Sequence, residues 1–180
     1  MSQTTLSPDS LTIALLGEAV LRQHAGAVRL PDPQTEQLAQ AMRQKMDELG
    51  GVGIAAPQVH HSLALMIIAS RPNARYPDAP QMDPVVMANP SIEAQSTNLE
   101  MGWEGCLSVP GIRGQVARPQ WVEVSFDDLA GQRHRRRLEG FVARIFCHEF
   151  DHLCGLTFLD RVEDNRQLMA TEVWLREGQR

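Results

Sequence analysis

The segment from Phe141 to Cys154 constrains the fold most, because it combines helical periodicity with residue types that bind metals. Its apolar residues recur at helical spacing and predict a helix with one buried stripe. Within it, the residues from His148 to His152 read H-E-F-D-H. Residues four apart lie on one face of a helix, so both imidazoles can approach one metal ion. The alternative is a helix with two partly exposed histidines and no metal.

Glu149 follows the first histidine and points about 100° around the helix axis. From there it can reach a water molecule near a metal without binding the ion itself. A catalytic metal usually has three protein ligands, and the third place has two candidates here. Glu172 lies downstream at the spacing of one class of metallopeptidase, and Cys106 lies in the extended segment E-G-C-L-S. Another class has a third histidine six residues after the second, where this chain has Phe158.

The segments along the chain predict an α+β fold. We expect mixed or antiparallel strands packed around the central H-E-x-x-H helix, with an N-terminal and a C-terminal helix. The N-terminal helix begins at Asp32-Pro33, a cap followed by proline, and ends at Gly50-Gly51. We expect residues 1–180 to form one domain whose residues 1–10 are flexible. The C-terminal helix is predicted over 165–177, and the strands are predicted over 12–16, 63–69, 85–88, 91–95 and a hairpin of 120–126 with 132–138.

Composition excludes several classes of function. The 180 residues include 17 basic and 22 acidic side chains, a formal net charge of −5, which disfavours DNA and other nucleic acid as a general ligand. The longest apolar run covers only residues 63–69, whereas a membrane span needs about 20 residues. The first residues lack the basic start and apolar core of a secretory signal. Three cysteines fit a reducing compartment, so we expect a cytoplasmic protein that does not contact a membrane.

Residues 51–58 read G-V-G-I-A-A-P-Q, where two glycines permit close approach to a ligand and Gln58 adds an amide donor. Together with E-G-C-L-S at 104–108 and H-E-F-D-H at 148–152, this segment resembles the three signature motifs of the peptide deformylases. Three further segments extend the resemblance over about residues 15–160: M-A-N-P (87–90), S-V-P-G-I-R-G (108–114) and D-H-L-C-G-L-T-F (151–158).

The resemblance implies a metal-dependent hydrolase that removes the formyl group from the N-terminal formyl-methionine of newly made bacterial or organellar chains. It implies that Cys106, His148 and His152 bind the metal and that Glu149 is the general acid and base. The implied metal is Fe²⁺, although thiolate and imidazole ligands also suit Zn²⁺, and Ni²⁺ or Co²⁺ are further candidates. The implied oxyanion donors are the Gln58 amide and the backbone N–H of Leu107.

On the substrate side, the resemblance implies that Gly53 and Gly105 pair through their backbones with an extended peptide. Arg113 would hold the backbone or a carboxylate of the substrate, or else form a surface salt bridge. The implied methionine pocket is lined by Val52, Phe141 and Ile145. One departure is visible, because the family usually has Gln before the first metal-binding histidine and this chain has Cys147. We expect that difference to affect packing and not the catalytic residues.

The implied partners are N-formylmethionyl nascent peptides and, near the exit of the nascent chain, the ribosome, with the arginine-rich segment 133–137 as a candidate contact. We expect a monomer in the bacterial cytoplasm. Two rival functions stay open. A metallo-endopeptidase with Glu172 as third ligand leaves the segments at 51–58 and 104–108 without a role. A non-catalytic, ribosome-associated relative is disfavoured because none of the implied catalytic or metal-binding residues is lost.

Overall fold

The structure is a computed structural model that describes residues 10–73 and 76–177. Its helices are α1 (Pro33–Glu48), α2 (Gly140–Leu153) and α3 (Thr171–Glu177). Its strands are β1 (Gly53–Ala55), β2 (Leu65–Ser70), β3 (Met82–Gln95), β4 (Leu99–Cys106), β5 (Val109–Pro119), β6 (Trp121–Asp127), β7 (Arg133–Glu139) and β8 (Leu168–Ala170). The expected α+β class, with antiparallel strands, an N-terminal helix (α1) and a C-terminal helix (α3), is confirmed.

The strands form two antiparallel sheets, one of five strands in the order β1-β2-β3-β6-β7 and one of three in the order β4-β5-β8. Every residue of β2 is buried, because its side chains alternate between two apolar clusters. Leu65 and Ile67 face the cluster that contains residues of α1, whereas Met66 and Ile68 face the cluster that contains residues of α2. The five-stranded sheet is therefore covered by a helix on each face.

Helix α1 follows its sequence signals closely. The carboxylate of Asp32 accepts a hydrogen bond from the backbone N–H of Thr35 at 2.8 Å, and Pro33 occupies the first helical position. Helix α2 begins directly after β7, at Gly140, whose φ of +55° permits the sharp change of direction from strand to helix. Its apolar stripe packs on the five-stranded sheet through residues such as Ala143 and Phe146.

Three predicted boundaries are wrong. The strands expected at 85–88 and 91–95 belong to one strand, β3. The pairing of β3 with β6 shifts its register near Asn89, whose φ is +47°, and this irregularity lies between the two predicted strands. Residues 12–16 form no named strand, since Ala14 and Leu16 donate to the separate carbonyls of Gln58 and Ser108. The expected C-terminal helix over 165–177 is a short 3₁₀ turn, then β8, and only then α3.

The predicted flexibility of residues 1–10 falls, apart from Ser10, outside the described residues. That residues 1–180 form one domain stays a prediction. Among the described residues, no helix combines the length and the apolar composition that a membrane span requires.

Candidate active site

Helix α2 presents its two histidines to the strand that carries Cys106. The ligand atoms of Cys106, His148 and His152 all lie within 4.8 Å of one another, and the described part of the chain contains no other such group of His, Cys, Asp and Glu side chains. Cys106 Sγ lies 3.3 Å from His152 Nε2. A soft thiolate and two imidazoles at this spacing suit the tetrahedral coordination of a transition metal with one position left open. The three residues therefore fit a divalent metal ion.

A buried carboxylate orients the first histidine. Glu104 is 4% exposed, and its Oε2 lies 2.9 Å from His148 Nδ1. This contact leaves Nε2 of His148 for a metal, an arrangement common around metal-binding histidines. Arg118 donates to Glu104 at 2.8 and 2.9 Å and to Asp151 at 2.7 Å. Burial alone would raise the pKa of the Glu104 carboxyl, but Arg118 and His148 lower that pKa further than burial raises it.

The Cys106 thiol lies among groups that favour its ionised form. Burial alone would raise its pKa, but the neighbouring His152 and His148 imidazoles outweigh burial and hold the pKa well below its usual range. The Gln58 amide adds a donor, with Nε2 at 3.4 Å from the sulfur. Gln58 Oε1 accepts from the backbone N–H of Ala55 at 2.9 Å, so the amide is oriented with its N–H groups toward Cys106.

Glu149 lies in the same cleft, is 4% exposed, and has one oxygen, Oε2, without a hydrogen-bond partner among the described residues. Burial raises the pKa of its carboxyl to about 7, against the lowering effects of His148 and His152. A carboxyl with a pKa near neutrality can both accept and donate a proton at physiological pH. Gly53 makes room for it, because a Cβ at that position would lie 2.8 Å from Glu149 Cδ.

The cleft also contains most of the side chains expected on the substrate side, and it is bordered by the free edge of β1. Arg113 is different: it is 2% exposed and lies behind Gly105, its register partner in β4. Its side chain therefore forms no surface salt bridge of the kind considered above. The expected site residues that line the cleft are Val52, Gly53, Gln58, Gly105, Cys106, Leu107, Phe141, Ile145, His148 and Glu149.

Comparison with known proteins agrees with this geometry. The sequence profile described as polypeptide deformylase matches residues 10–168. The chain belongs to the polypeptide deformylase family. The family assignment and enzyme class predicted from the sequence are thus confirmed. Peptide deformylase 2 of Shewanella oneidensis is 55% identical over 173 residues, which cover 96% of this chain and 94% of that protein. Peptide deformylase 2 of a Nostoc species is 49% identical over 168 residues, covering 93% of this chain and 94% of that one.

Solved deformylase structures share the fold. The Met-Ala-Ser-bound crystal structure of class I type b peptide deformylase from Acinetobacter baumannii has a TM-score of 0.84 at 46% identity, covering 88% of this chain and all of that one (100%). Peptide deformylase from Thermotoga maritima has a TM-score of 0.77 at 32% identity, covering 86% of this chain and 98% of the other. The likeness holds across sequences that differ at more than half of their positions.

Glu172, the alternative third ligand, does not join the metal-binding group. It is exposed on α3, and the described residues that could hold a metal together are the cysteine and the two histidines. Cys147, in place of the family's usual Gln, lies in the apolar cluster beneath α2. Burial raises the pKa of its thiol to about 11, so it is an unreactive packing residue.

Two residues of the site, Glu104 and Tyr76, had no role predicted from the sequence. Glu104 stands inside the quoted segment E-G-C-L-S, and a carboxylate near a metal-binding histidine is itself a signal of an orienting contact. Asp151 pairs with Arg118 of β5 and with Arg161, and so belongs to the buried network that orients His148. Tyr76 lines the cleft from a proline-rich loop, and no pattern in the sequence indicated it.

Proposed function

We propose that this deformylase removes formyl groups from N-formylmethionyl peptides with Cys106, His148 and His152 as metal ligands and Glu149 as the proton-transfer group. The observation that carries the proposal is the convergence, in one cleft, of a thiol with a lowered pKa, two imidazoles and a carboxyl with a pKa of about 7. A bound divalent ion supplies Lewis-acid activation of water and of the formyl carbonyl. We infer Fe²⁺ as the ion, with Zn²⁺, Ni²⁺ and Co²⁺ as replacements of the same coordination chemistry.

Glu149 moves the protons of the reaction. Its ionised carboxylate accepts a proton from the attacking water as the oxygen of that water bonds to the formyl carbon. The carbon–nitrogen bond then breaks, and Glu149 delivers the proton to the departing amine. Formate and a peptide with a free N-terminus are the products, and Glu149 returns to its ionised form. A pKa of about 7 suits a group that must accept and return a proton in one cycle.

The negative charge that develops on the formyl oxygen needs donors already in place. Gln58 is suited to this role because it is 2% exposed and its amide is oriented by the Ala55 N–H. A buried donor that needs no reorganisation stabilises the developing charge more strongly than water does. The backbone N–H of Leu107, which directly follows Cys106 in the cleft, is the second proposed donor.

The peptide is proposed to lie along the free edge of β1, with Gly53 and Gly105 offering backbone groups on either side. The methionine side chain would then enter the apolar part of the cleft between Val52, Phe141 and Ile145. Arg113, expected to hold the peptide, is 2% exposed behind Gly105, so we propose no direct contact between its side chain and the peptide. We further propose that residues 1–180 act as one catalytic domain and that the protein is a cytoplasmic monomer.

The proposed surface for the ribosome is the arginine-rich strand β7. In this strand, Arg133 pairs with Asp127 and Arg137 pairs with Glu123 and Glu139. Neighbouring carboxylates thus offset part of the positive charge that would attract ribosomal RNA. The ribosome is proposed as a partner because the proposed substrate, a nascent chain, emerges from it.

The deciding experiment measures formate release from formyl-Met-Ala-Ser by protein purified without oxygen, with metal analysis of the same sample. Acetyl-Met-Ala-Ser is the control for cleavage of other N-acyl amides. A peptide with a free N-terminus is the control for cleavage of internal peptide bonds. We expect formate from the first peptide and no cleavage of the controls. Absence of formate from protein that carries one metal ion per chain would contradict the proposed function. Comparison of Fe²⁺-loaded with Zn²⁺-loaded protein tests the proposed metal.

A further inference from the structure

A stack of three side chains joins the last described helix to the wall of the cleft. The guanidinium carbon of Arg113 lies 3.9 Å from the ring centroid of Trp174. Nη1 of Arg113 donates to Tyr76 Oη at 3.1 Å. The Tyr76 ring in turn packs against Phe141, with 4.8 Å between the ring centroids, and both rings line the cleft. We call Trp174, Arg113 and Tyr76 the aromatic stack.

The topology explains why the chain returns to this place. Strand β8 pairs with β5, and Met169 lies opposite Arg113 in the register. The chain turns from β8 directly into α3, which brings Trp174, only 4% exposed, over the guanidinium. The Trp174 ring of this short helix thus lies over the Arg113 guanidinium of β5.

Arg113 depends on this cover for the stabilisation of its charge. It is 2% exposed, and its Nε has no hydrogen-bond partner among the described residues. The buried carboxylates of Glu104 and Asp151 pair instead with Arg118, Arg144 and Arg161. A buried cation without an anion is costly. The contacts that offset the cost are the hydrogen bond to the Tyr76 hydroxyl and two aromatic rings, of which that of Trp174, at 3.9 Å from the guanidinium carbon, is nearer than that of Tyr76, at 5.6 Å.

We propose that Trp174 is a positioning residue for peptide binding. Its ring holds the guanidinium of Arg113, Arg113 holds the Tyr76 hydroxyl, and the Tyr76 ring therefore stays against Phe141 as one wall of the cleft. The last helix thereby determines the affinity for methionyl peptides without touching the metal ligands or Glu149. The choice of a methionyl peptide as ligand rests on the proposed function, whereas the contacts within the stack do not.

The test compares Trp174→Phe, which keeps an aromatic face, with Trp174→Leu, which keeps apolar volume only. The measurements are the Kd of Met-Ala-Ser by calorimetry and the kcat and KM for formyl-Met-Ala-Ser, all on metal-loaded protein. We expect Trp174→Leu to raise Kd and KM by about two- to thirtyfold, the range from an exposed to a desolvated cation–π contact, with kcat and metal content unchanged. Trp174→Phe should stay close to the parent protein. Leu175→Ala, at an exposed neighbour on α3, is the matched control.

Equal effects of Phe and Leu at position 174, or a fall in kcat at unchanged KM, would overturn the proposal. Tyr76→Phe removes one hydroxyl and keeps the ring, so it tests the stack even if Trp174→Leu does not fold; an unchanged Kd in this variant also overturns the proposal. The double variant Trp174→Leu with Tyr76→Phe should have a Kd no higher than that of the more weakly binding single variant, because both substitutions act through Arg113. Additive losses of binding free energy would show that the two residues act independently.

Failure of the proposed function is distinguishable from failure of this inference. If the parent protein binds Met-Ala-Ser but releases no formate, the deformylation proposal fails while the Kd values still decide the role of Trp174. If the parent protein does not bind Met-Ala-Ser, the proposed role of Trp174 is wrong.

Discussion

The two sides of the cleft are held in place by different kinds of contact. On the metal side, buried ion pairs join Glu104, Arg118 and Asp151 at 2.7 to 2.9 Å. On the peptide side, Arg113 has aromatic neighbours and no carboxylate partner among the described residues. Hydrogen-bonded ion pairs are directional, so they specify the orientation of the His148 ring. Substitutions on the metal side should therefore change metal content or kcat, and those on the peptide side should change KM.

The largest effect is expected from Cys106→Ala. This variant removes one of three proposed ligands, so bound metal and formate release should both be lost. Glu172→Ala is the control, because this exposed carboxylate should change stability by no more than about 1 kcal/mol and leave metal content unchanged. Metal analysis of both purified variants decides between the deformylase site and the endopeptidase alternative. Retained metal in Cys106→Ala would contradict the assigned ligands.

Glu149→Gln separates proton transfer from metal binding on the same side of the cleft. The amide has the size of the carboxylate but cannot carry the proton, so kcat should fall by about 10²- to 10⁴-fold. Metal content and KM should stay near those of the parent protein. Steady-state kinetics with formyl-Met-Ala-Ser, together with metal analysis, measure both quantities. Normal turnover would show that another group moves the proton.

Glu104→Gln tests whether the buried network orients His148. The variant keeps an acceptor for Nδ1 but leaves part of the Arg118 charge unpaired, so metal affinity should fall by about 10- to 100-fold. Stability should also fall by several kcal/mol, because broken buried ion pairs typically cost about 3–5 kcal/mol. Glu123→Gln breaks an exposed pair with Arg137 and should cost no more than about 1 kcal/mol. A competition assay with a chelator, and thermal unfolding, compare the two variants; similar losses in both would argue against an orienting role.

The metal side was largely predictable from the sequence, and so were most residues that line the peptide side, whereas the contacts of Arg113 and Tyr76 were not. The spacing of His148 and His152 within one helix is local information, and the helix signals at Asp32-Pro33 are local as well. Of β4 only the end at E-G-C was expected to be extended, and β5 was not predicted, because the burial of these strands depends on contacts with the distant α2 and with residues such as Phe158. The predicted helix over 165–177 failed for a related reason. The pairing of Met169 with Arg113 draws residues 168–170 into a sheet, and no local propensity reports that contact.

The stack of Trp174, Arg113 and Tyr76 joins positions that are far apart in the chain, so one sequence offers no spacing by which to find it. Glu104, in contrast, is two residues from Cys106. Its role in orienting a metal ligand could therefore have been inferred from the sequence. Residues that act through an adjacent ligand can thus be inferred from local sequence, whereas residues that act through tertiary contacts need the structure.

Two glycines that line the cleft give the finest test of the difference between the two sides. A Cβ at Gly53 would lie 2.8 Å from Glu149 Cδ and Cγ, whereas a Cβ at Gly105 would lie 3.2 Å from Arg113 Cζ. Alanine keeps the backbone groups that a peptide would pair with, so any effect should come from the displaced side chain.

Gly53→Ala should lower kcat by about tenfold, since small displacements of a catalytic group are costly, with metal content retained. Gly105→Ala should raise KM by a smaller factor and leave kcat unchanged, because the guanidinium has only a few tenths of an ångström to yield. Kinetics of both variants with formyl-Met-Ala-Ser check this pattern, and a rise in KM alone for Gly53→Ala would show that the two sides of the cleft are not independent.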